Sequence, residues 1–326
     1  MKILRVGDPH VKMDNLEDSD KLIKFIVKIC LKHDIKDVEF LGDLFHHHAI
    51  KRLEIEHFWL NSLKYLSDNG LRVICLIGNH DQPGSREKEH ITALDGFNIK
   101  NVSIIKHPTI INNIAYIPYT HNLEFFIKSS QDLCQKGATK TVVSHQTFTG
   151  AQYDNGFYAK DSIDPELVSQ ESIISGHIHT SQQIGKCFFI GTAKWDTRAD
   201  ENKEKGVWIY EHDLDGDIIN REFISTKGVV SAIYKYVVNE GDKLPILNES
   251  DRNYLELRGK TEWIKRIKKK YFGMANIKGV PVDRKMKKIT KNNLNLANFS
   301  EDFVPVDGIS TKDILKYLQS INAMEV

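Results

Sequence analysis

Short apolar runs alternate, along the first third of the chain, with longer stretches whose apolar residues return every third or fourth position. The run "KILRVGD" reads as a buried strand. "EDSDKLIKFIVKICLKH" follows it with Leu22, Ile23, Ile26, Ile29 and Cys30 at helical spacing behind a Ser/Asp start, which predicts an amphipathic helix. "DVEFLGD" reads as the next strand, and "LEIEHFWLNSLKYLSDNG" as a second amphipathic helix with Gly70 at its C′ position. "LRVICLIGNHD" is a third strand. Strand and helix alternate at βαβ spacing, so these strands are expected to be parallel and covered on both faces.

The middle of the chain changes character. "VSIIKHPTIINNIAYIPYT" reads as the short strands of a hairpin or meander. The helix "NLEFFIKSSQDLCQKG", closed by Gly137, leads into the strand "TKTVVSHQ". "SIISGHIHTSQ", "KCFFIGTA" and a hairpin "KGVWIYEHDLDGDIINREFI", turned at Asp215-Gly216, follow. This mixed-sheet body is expected to span residues 1–227. "SAIYKYVV", "RNYLELRG" and the lysine-rich helix "EWIKRIKKKYF" suggest a small α+β appendage over 228–295. The tail 296–326 carries "STKDILKYLQSI", an amphipathic helix with Ile314, Leu315, Tyr317, Leu318 and Ile321. There is no internal repeat.

Composition narrows the class. With 326 residues, 40% hydrophobic and 27% charged, the chain fits a soluble globular protein of one large domain plus an appendage. The start lacks the apolar stretch of a signal peptide, and no segment approaches the roughly 18 apolar residues of a membrane helix. A cytoplasmic location without a membrane is therefore expected. Cys30, Cys75, Cys134 and Cys187 show no CxxC spacing and read as reduced, mostly buried thiols. The net charge is only +1, but Arg258 to Lys291 holds thirteen Lys or Arg against Glu262 and Asp283. A basic block on an acidic body suggests that one part meets a polyanion while the other has a separate task, such as holding cations.

The chemistry collects at strand ends. Asp8 and His10 in "VGDPH", Asp43 in "LGD", Asn79 and His80 in "IGNHD", His145 in "VSH", and His177 and His179 in "SGHIH" each follow an apolar run. Any one of these motifs alone is more often an ordinary polar loop. All five share one placement, however, and in open α/β sheets the loops at the carboxyl ends of the strands converge on one crevice. Carboxylate, imidazole and amide donors without thiolate suit a pair of ions such as Mn²⁺, Fe²⁺ or Zn²⁺. Two such ions about 3.5–4 Å apart clamp a phosphoryl group and activate water, and Asp43 is the natural bridging carboxylate.

The series D-x-H, G-D, G-N-H-D, H and G-H-x-H resembles the calcineurin-like metallophosphoesterase superfamily over roughly residues 1–226. The resemblance implies an α/β sandwich of mixed β-sheets flanked by helices, with a small α+β C-terminal capping domain. It implies that Asp8, His10, Asp43 and His179 hold one ion, and that Asp43, Asn79, His145 and His177 hold the other. It gives His80 a part in leaving-group departure or transition-state stabilisation, with Asp81 orienting its ring. Within the superfamily, "GDLFH" and "SHQTFTG" look most like the SbcD-type nuclease, similar to the archaeal and eukaryotic meiotic-recombination nuclease in a short, phage-like version. His46, at the spacing D-x-x-H from Asp43, matches that nuclease's histidine acting on the phosphate or DNA end. His47 and His48 read as solvated loop residues or phosphate contacts.

The resemblance further implies a DNA exonuclease with endonuclease activity, using Mn²⁺ with Fe²⁺ or Mg²⁺ as alternatives. It would work as a homodimer within a heterotetramer with an SbcC-type, SMC-like ATPase, onto which the tail docks. In the basic block, Lys265, Arg266, Lys268, Lys269 and Lys270 interleave with Trp263, Tyr271 and Phe272, as phosphate-contacting surfaces often do. The competing expectations are a nucleotide or small-molecule phosphodiesterase or phosphatase on the same core, and a scaffold that has lost its metals. The first would lack a basic neighbour. The second would lack ligands.

Overall fold

Strands that are apolar at nearly every position need cover on two faces, and this chain provides it by stacking two sheets between layers of helix. The computed structural model describes residues 1–48, 50–83 and 91–282. The first β-α-β-α-β run is β1 (Lys2–Val6), α1 (Leu16–His33), β2 (Asp37–Phe40), α2 (Leu53–Asp68) and β3 (Arg72–Leu76). These three strands pair in parallel, as their spacing predicts, and β4 (Val102–Ile105) extends them in the same direction. β5 (Thr109–Ile111) and β6 (Ile114–Ile117) form a hairpin that opens the second sheet. α3 (Leu123–Gly137), β7 (Thr141–Ser144), β8 (Ser172–Ser175), β9 (Gln182–Ile184) and β10 (Cys187–Phe189) continue it. β11 (Gly206–His212) and β12 (Ile218–Ser225) return to the first sheet beside β1. The orders are β12-β11-β1-β2-β3-β4 and β5-β6-β7-β8-β10-β9.

The stretch 102–117 is thus not one meander. A three-residue link, Lys106-His107-Pro108, looks like a hairpin turn in the sequence but carries the chain from one sheet to the other. Gly70 does take the left-handed conformation just past α2, at φ 80°. Gly137 does not: the left-handed cap falls on Ala138 at φ 47°, and a Cβ on Gly137 would lie 2.6 Å from Ile110 Cδ1, so that methyl would have to swing aside. At the start of α1, Asn15 holds the N-cap position in place of the expected Ser/Asp.

Leu22, Ile26, Trp59 and Leu63 fill the layer between the helices and the first sheet, while Ile3, Leu41, Leu76, Tyr116, Val143 and Ile174 fill the layer between the sheets. Within that second layer sits a buried polar network. Arg5 Nε donates to Glu39 Oε2 at 2.7 Å, Tyr116 Oη donates to Glu39 Oε1, and the Arg5 guanidinium lies 4.5 Å from the Tyr210 ring centroid. All four cysteines are unpaired, and Cys30, Cys75 and Cys187 are buried while Cys134 is half-buried. Among the described residues, no helix is long and apolar enough to cross a membrane.

The C-terminal part has its own small core. β13 (Ile233–Asn239), β14 (Arg252–Gly259) and β15 (Asn276–Pro281) form an all-parallel sheet, and α4 (Thr261–Lys270) packs on one face. β15, in "NIKGVP", escapes the sequence pattern because its residues lack an apolar run. Trp263 and Tyr271 are buried with Leu255, Leu257 and Ile267, so they do not interleave with the lysines at the surface; Phe272 alone of the three aromatics is exposed. The tail helix and the remainder of the basic block beyond residue 282 lie outside the described residues.

Glu39 and Arg5 are both fully buried, so removing one partner strands the other charge. Glu39→Ala is expected to lower stability by about 3–5 kcal/mol, read from the urea midpoint at unchanged slope. A loss under 1 kcal/mol would show that the network is not what ties the sheets together.

Candidate metal centre

The carboxyl ends of β1, β2, β3, β7 and β8 all emerge at one edge of the stacked sheets, and each is followed by one of the polar motifs. The loops are tight enough to strain the backbone. Asp8, His10, Asp43 and His177 sit at positive φ (40°, 42°, 52° and 76°), a region that costs a non-glycine residue energy and clusters at functional sites. The glycines beside them leave room for close approach. A Cβ on Gly42 would lie 2.3 Å from His145 Nδ1, and one on Gly78 would lie 2.3 Å from Asp43 Oδ1.

Asp43 is the hub. Its Oδ1 accepts from the His80 backbone N–H at 2.8 Å, which turns Oδ2 toward the other side chains. Oδ2 lies 3.5 Å from His10 Nε2, 3.3 Å from His145 Nε2 and 4.0 Å from His80 Nε2. His10 Nε2 and His179 Nε2 face one another at 3.1 Å, with Asp8 Oδ2 at 3.9 Å from the latter. On the other side of Asp43, Asn79 Oδ1 lies 3.0 Å from His145 Nε2 and 2.8 Å from His177 Nδ1. Seven side chains from five loops thus converge, with Asp43 between those of the two sheets.

The ring tautomers are set from behind. His145 Nδ1 donates to the Leu41 carbonyl at 2.6 Å, and His179 Nδ1 lies 3.4 Å from Asp154 Oδ2, so that in the neutral rings the Nε2 lone pairs face the cluster. Burial alone would raise Asp43, yet His145 and His10 hold it well below the usual carboxylate range. Burial pushes Asp8 up to about 6, against the pull of His145. His145 is driven the other way: burial opposes its charge, but Asp43 and Asp8 overcome it and raise the imidazole to about 9. Burial lowers His177 to about 3, helped by the neighbouring His145.

A divalent cation fits this donor set. Facing imidazole lone pairs repel unless a proton or a cation lies between them, and Asp8 Oδ1 is buried without a hydrogen-bond partner. Asp8, His10 and His179 make one group of potential ligands, Asp43, His145 and His177 a second, and His10, Asp43 and His80 a third. The hard and borderline donors suit Mn²⁺, Fe²⁺ or Zn²⁺.

Residues 1–181 match the family described as calcineurin-like phosphoesterase, more than half of the chain. The chain belongs to that family. Its members are metal-dependent hydrolases that use divalent ions, and the cluster around Asp43 is this member's candidate site. The chain is 27% identical over 195 residues to the putative phosphoesterase 078R of Invertebrate iridescent virus 3, covering 56% of this chain and 54% of that protein. It is 25% identical over 233 residues to exonuclease subunit 1 of Enterobacteria phage T4, covering 65% of each. It is 24% identical over 197 residues to the DNA double-strand break repair protein Mre11 of Sulfolobus acidocaldarius, covering 56% of this chain and 50% of that protein. The matched region therefore spans between half and two thirds of these relatives.

The phosphoesterase loops also hold features that the sequence concealed. Asp81 does not orient the His80 ring: its two carboxylate oxygens accept from the Phe45 and Gly78 backbone N–H groups at 3.0 and 2.9 Å, tying two loops together beneath the site. The ring of His80 is instead fixed by the His46 carbonyl, which lies 2.5 Å from Nδ1. His46 turns inward, with Nδ1 3.7 Å from Asp196 Oδ2, whereas His47 and His48 are exposed. His48 is not merely solvated, since its ring rests on that of His80 at 3.9 Å between centroids. Asp154 and Asp196 went unrecognised in the sequence. Asp154 follows no apolar run, so nothing marks it, but Asp196 trails the run "CFFIGTA" as the other site residues trail theirs.

Two outcomes are expected of the purified protein. Saturating Mn²⁺ should raise its melting temperature, by about 2.7 kcal/mol of stability at a hundred times Kd, and Asp43→Asn should abolish the shift. Because His145 is protonated below about 9 and must be neutral to bind a cation, loading at pH 7.5 should release roughly one proton. Titration calorimetry in two buffers of different ionisation enthalpy reads that number, and proton uptake on loading would contradict the assignment.

Proposed function

We propose that this chain is a two-metal DNA nuclease acting on phosphodiester bonds at DNA ends, with exonuclease and endonuclease activity. The observation that carries this reading is the convergence of a complete set of ligand-type residues next to a small basic domain. Two of the distant relatives bear nuclease or DNA-repair names. A scaffold that had lost its metals would lack members of the set, and none is missing.

In this reading residues 1–227 form the nuclease domain, 228–295 a DNA-capping domain and 296–326 a docking tail. Asp8, His10, Asp43 and His179 hold one ion, and Asp43, Asn79, His145 and His177 the other, with Mn²⁺ as the metal. Bound there, the ions polarise the phosphoryl oxygens and lower the pKa of a water molecule. His80 stands at the rim, one quarter of its side chain exposed, with Nε2 toward Asp43. Burial lowers its pKa despite Asp43 and the His46 carbonyl, which makes its protonated form the stronger acid toward the departing 3′ oxygen. The His46 carbonyl keeps Nε2 as the atom that moves the proton, and the His46 side chain lies near the incoming phosphate.

The five basic residues of α4 are all exposed and supply long-range attraction for DNA. The chain works in the cytoplasm as a homodimer with an SbcC-like ATPase, which the tail engages. That partnership rests on the resemblance to the SbcD-type nuclease.

End-labelled duplex DNA incubated with Mn²⁺ tests the proposal. Wild type should release label, and His80→Ala should slow release by about 10²–10⁴-fold, the usual worth of a proton-transfer group. Intact DNA alongside turnover of bis-p-nitrophenyl phosphate would favour a small-substrate phosphodiesterase, unless adding an SbcC-type ATPase and ATP restores cutting.

A further inference from the structure

The small sheet has a second face, and it is more telling than α4. Parallel pairing places Lys235, Tyr254 and Asn276 side by side, and Val237, Glu256 and Lys278 in the next row. The alternate residues, Leu255, Leu257 and Ile277, point to the opposite side, where they pack with Ile264 and Ile267 of α4. The uncovered face is mixed, with Lys235, Glu256, Asn276 and Lys278 beside the exposed Val237 and Val280, and it is also concave. A groove of about 520 Å³ is lined by Arg198, Lys235, Tyr254, Glu256, Asn276 and Lys278, with Leu255 and Ile277 also at its wall.

Its charge is predominantly positive. Glu256 is engaged by Arg258, whose Nε and Nη2 lie 2.8 and 2.6 Å from Oε1. Glu201, at the border, is shared by Arg198 at 3.8 Å and Lys235 at 3.6 Å. The cations outnumber these two carboxylates. Tyr254 is half-buried and packs on one side against the core of the larger body, while the Arg198 guanidinium lies 4.7 Å from its ring centroid; aromatic rings and guanidinium planes are the groups on which bases stack.

Hydrogen bonds tie the small sheet to the rim of the metal centre. Arg252, two residues before Tyr254 on the same face, donates to the carbonyls of Trp195 at 2.5 Å and Asp196 at 3.2 Å. Asp196 in turn contacts Lys12 at 3.0 Å and His46 at 3.7 Å. The α4 lysines, by contrast, lie in the layer on the other side of the sheet.

We infer that this open sheet face is a binding surface for a nucleic-acid strand, with Lys235 and Lys278 on phosphates and Tyr254 against a base, leading the strand to the His46 side of the cluster. The inference rests on the nuclease reading and names the surface that would deliver its substrate. The chemistry recognised is a phosphodiester chain with exposed bases, from either a single strand or a frayed duplex end.

Fluorescence anisotropy of a labelled oligonucleotide on the full chain, over a range of salt with Ca²⁺ in place of Mn²⁺, tests it. Lys235→Ala with Lys278→Ala should weaken binding about tenfold and make the slope of log K against log salt shallower by about 1.5, as expected for two lost phosphate contacts. Lys235→Arg with Lys278→Arg should bind like wild type, which separates lost charge from lost folding. Tyr254→Leu should weaken single strands more than blunt duplex. Unchanged affinity and slope in the alanine pair, or equal loss in the arginine pair, would overturn the surface while leaving the nuclease reading standing. A wild type that binds no nucleic acid yet hydrolyses bis-p-nitrophenyl phosphate would remove both.

Discussion

Everything at the catalytic edge of this protein is arranged around one carboxylate oxygen. Asp43 Oδ2 is buried, and three imidazoles lie within 4.0 Å of it. Without a cation the cluster relieves itself by keeping a proton on His145 and leaving Asp8 partly neutral. That is a costly way to bury charge, since desolvation must be met by pairing. The strained backbone at Asp8, His10, Asp43 and His177 points the same way: such conformations persist only where the surrounding fold enforces them.

The enforcing structure is the stacked pair of sheets. Ligand-type residues from the first sheet (Asp8, His10, Asp43, Asn79) and from the second (His145, His177, His179) meet only because the parallel strands of both sheets end at the same edge. The packing between the sheets therefore sets the distance between the two halves of the site. The Arg5–Glu39–Tyr116 network fixes a lateral register there that apolar packing alone would specify less sharply, since Tyr116 reaches from the second sheet to Glu39 in the first.

A second layer of positioning lies outside the cluster. Asp154 braces His179 and also accepts from Thr180 and Lys203, while Asn15 donates to the His10 carbonyl at 2.9 Å. Asp196 reaches His46 and Lys12 by its side chain and Arg252 of the small sheet by its carbonyl. Asp196 thereby links the C-terminal sheet to the rim of the site.

The sequence by itself determined the βαβ framework and the cluster of ligand-type residues. Apolar runs and helical periodicity are local properties, and a strand followed by Gly-Asp or Gly-Asn-His can be read without knowing its neighbours. It could not assign β4 to one sheet and β5 to the other across a three-residue link, because strand pairing is a contact between distant segments. Nor could it show that Asp81 binds backbone while the His46 carbonyl holds the His80 ring, since adjacent side chains diverge according to the turn they occupy. Lysine composition drew attention to α4, but only the register of the small sheet decided that Lys235, Tyr254 and Lys278 share the opposite face. Charge can be counted along a chain; direction exists only once the chain is folded.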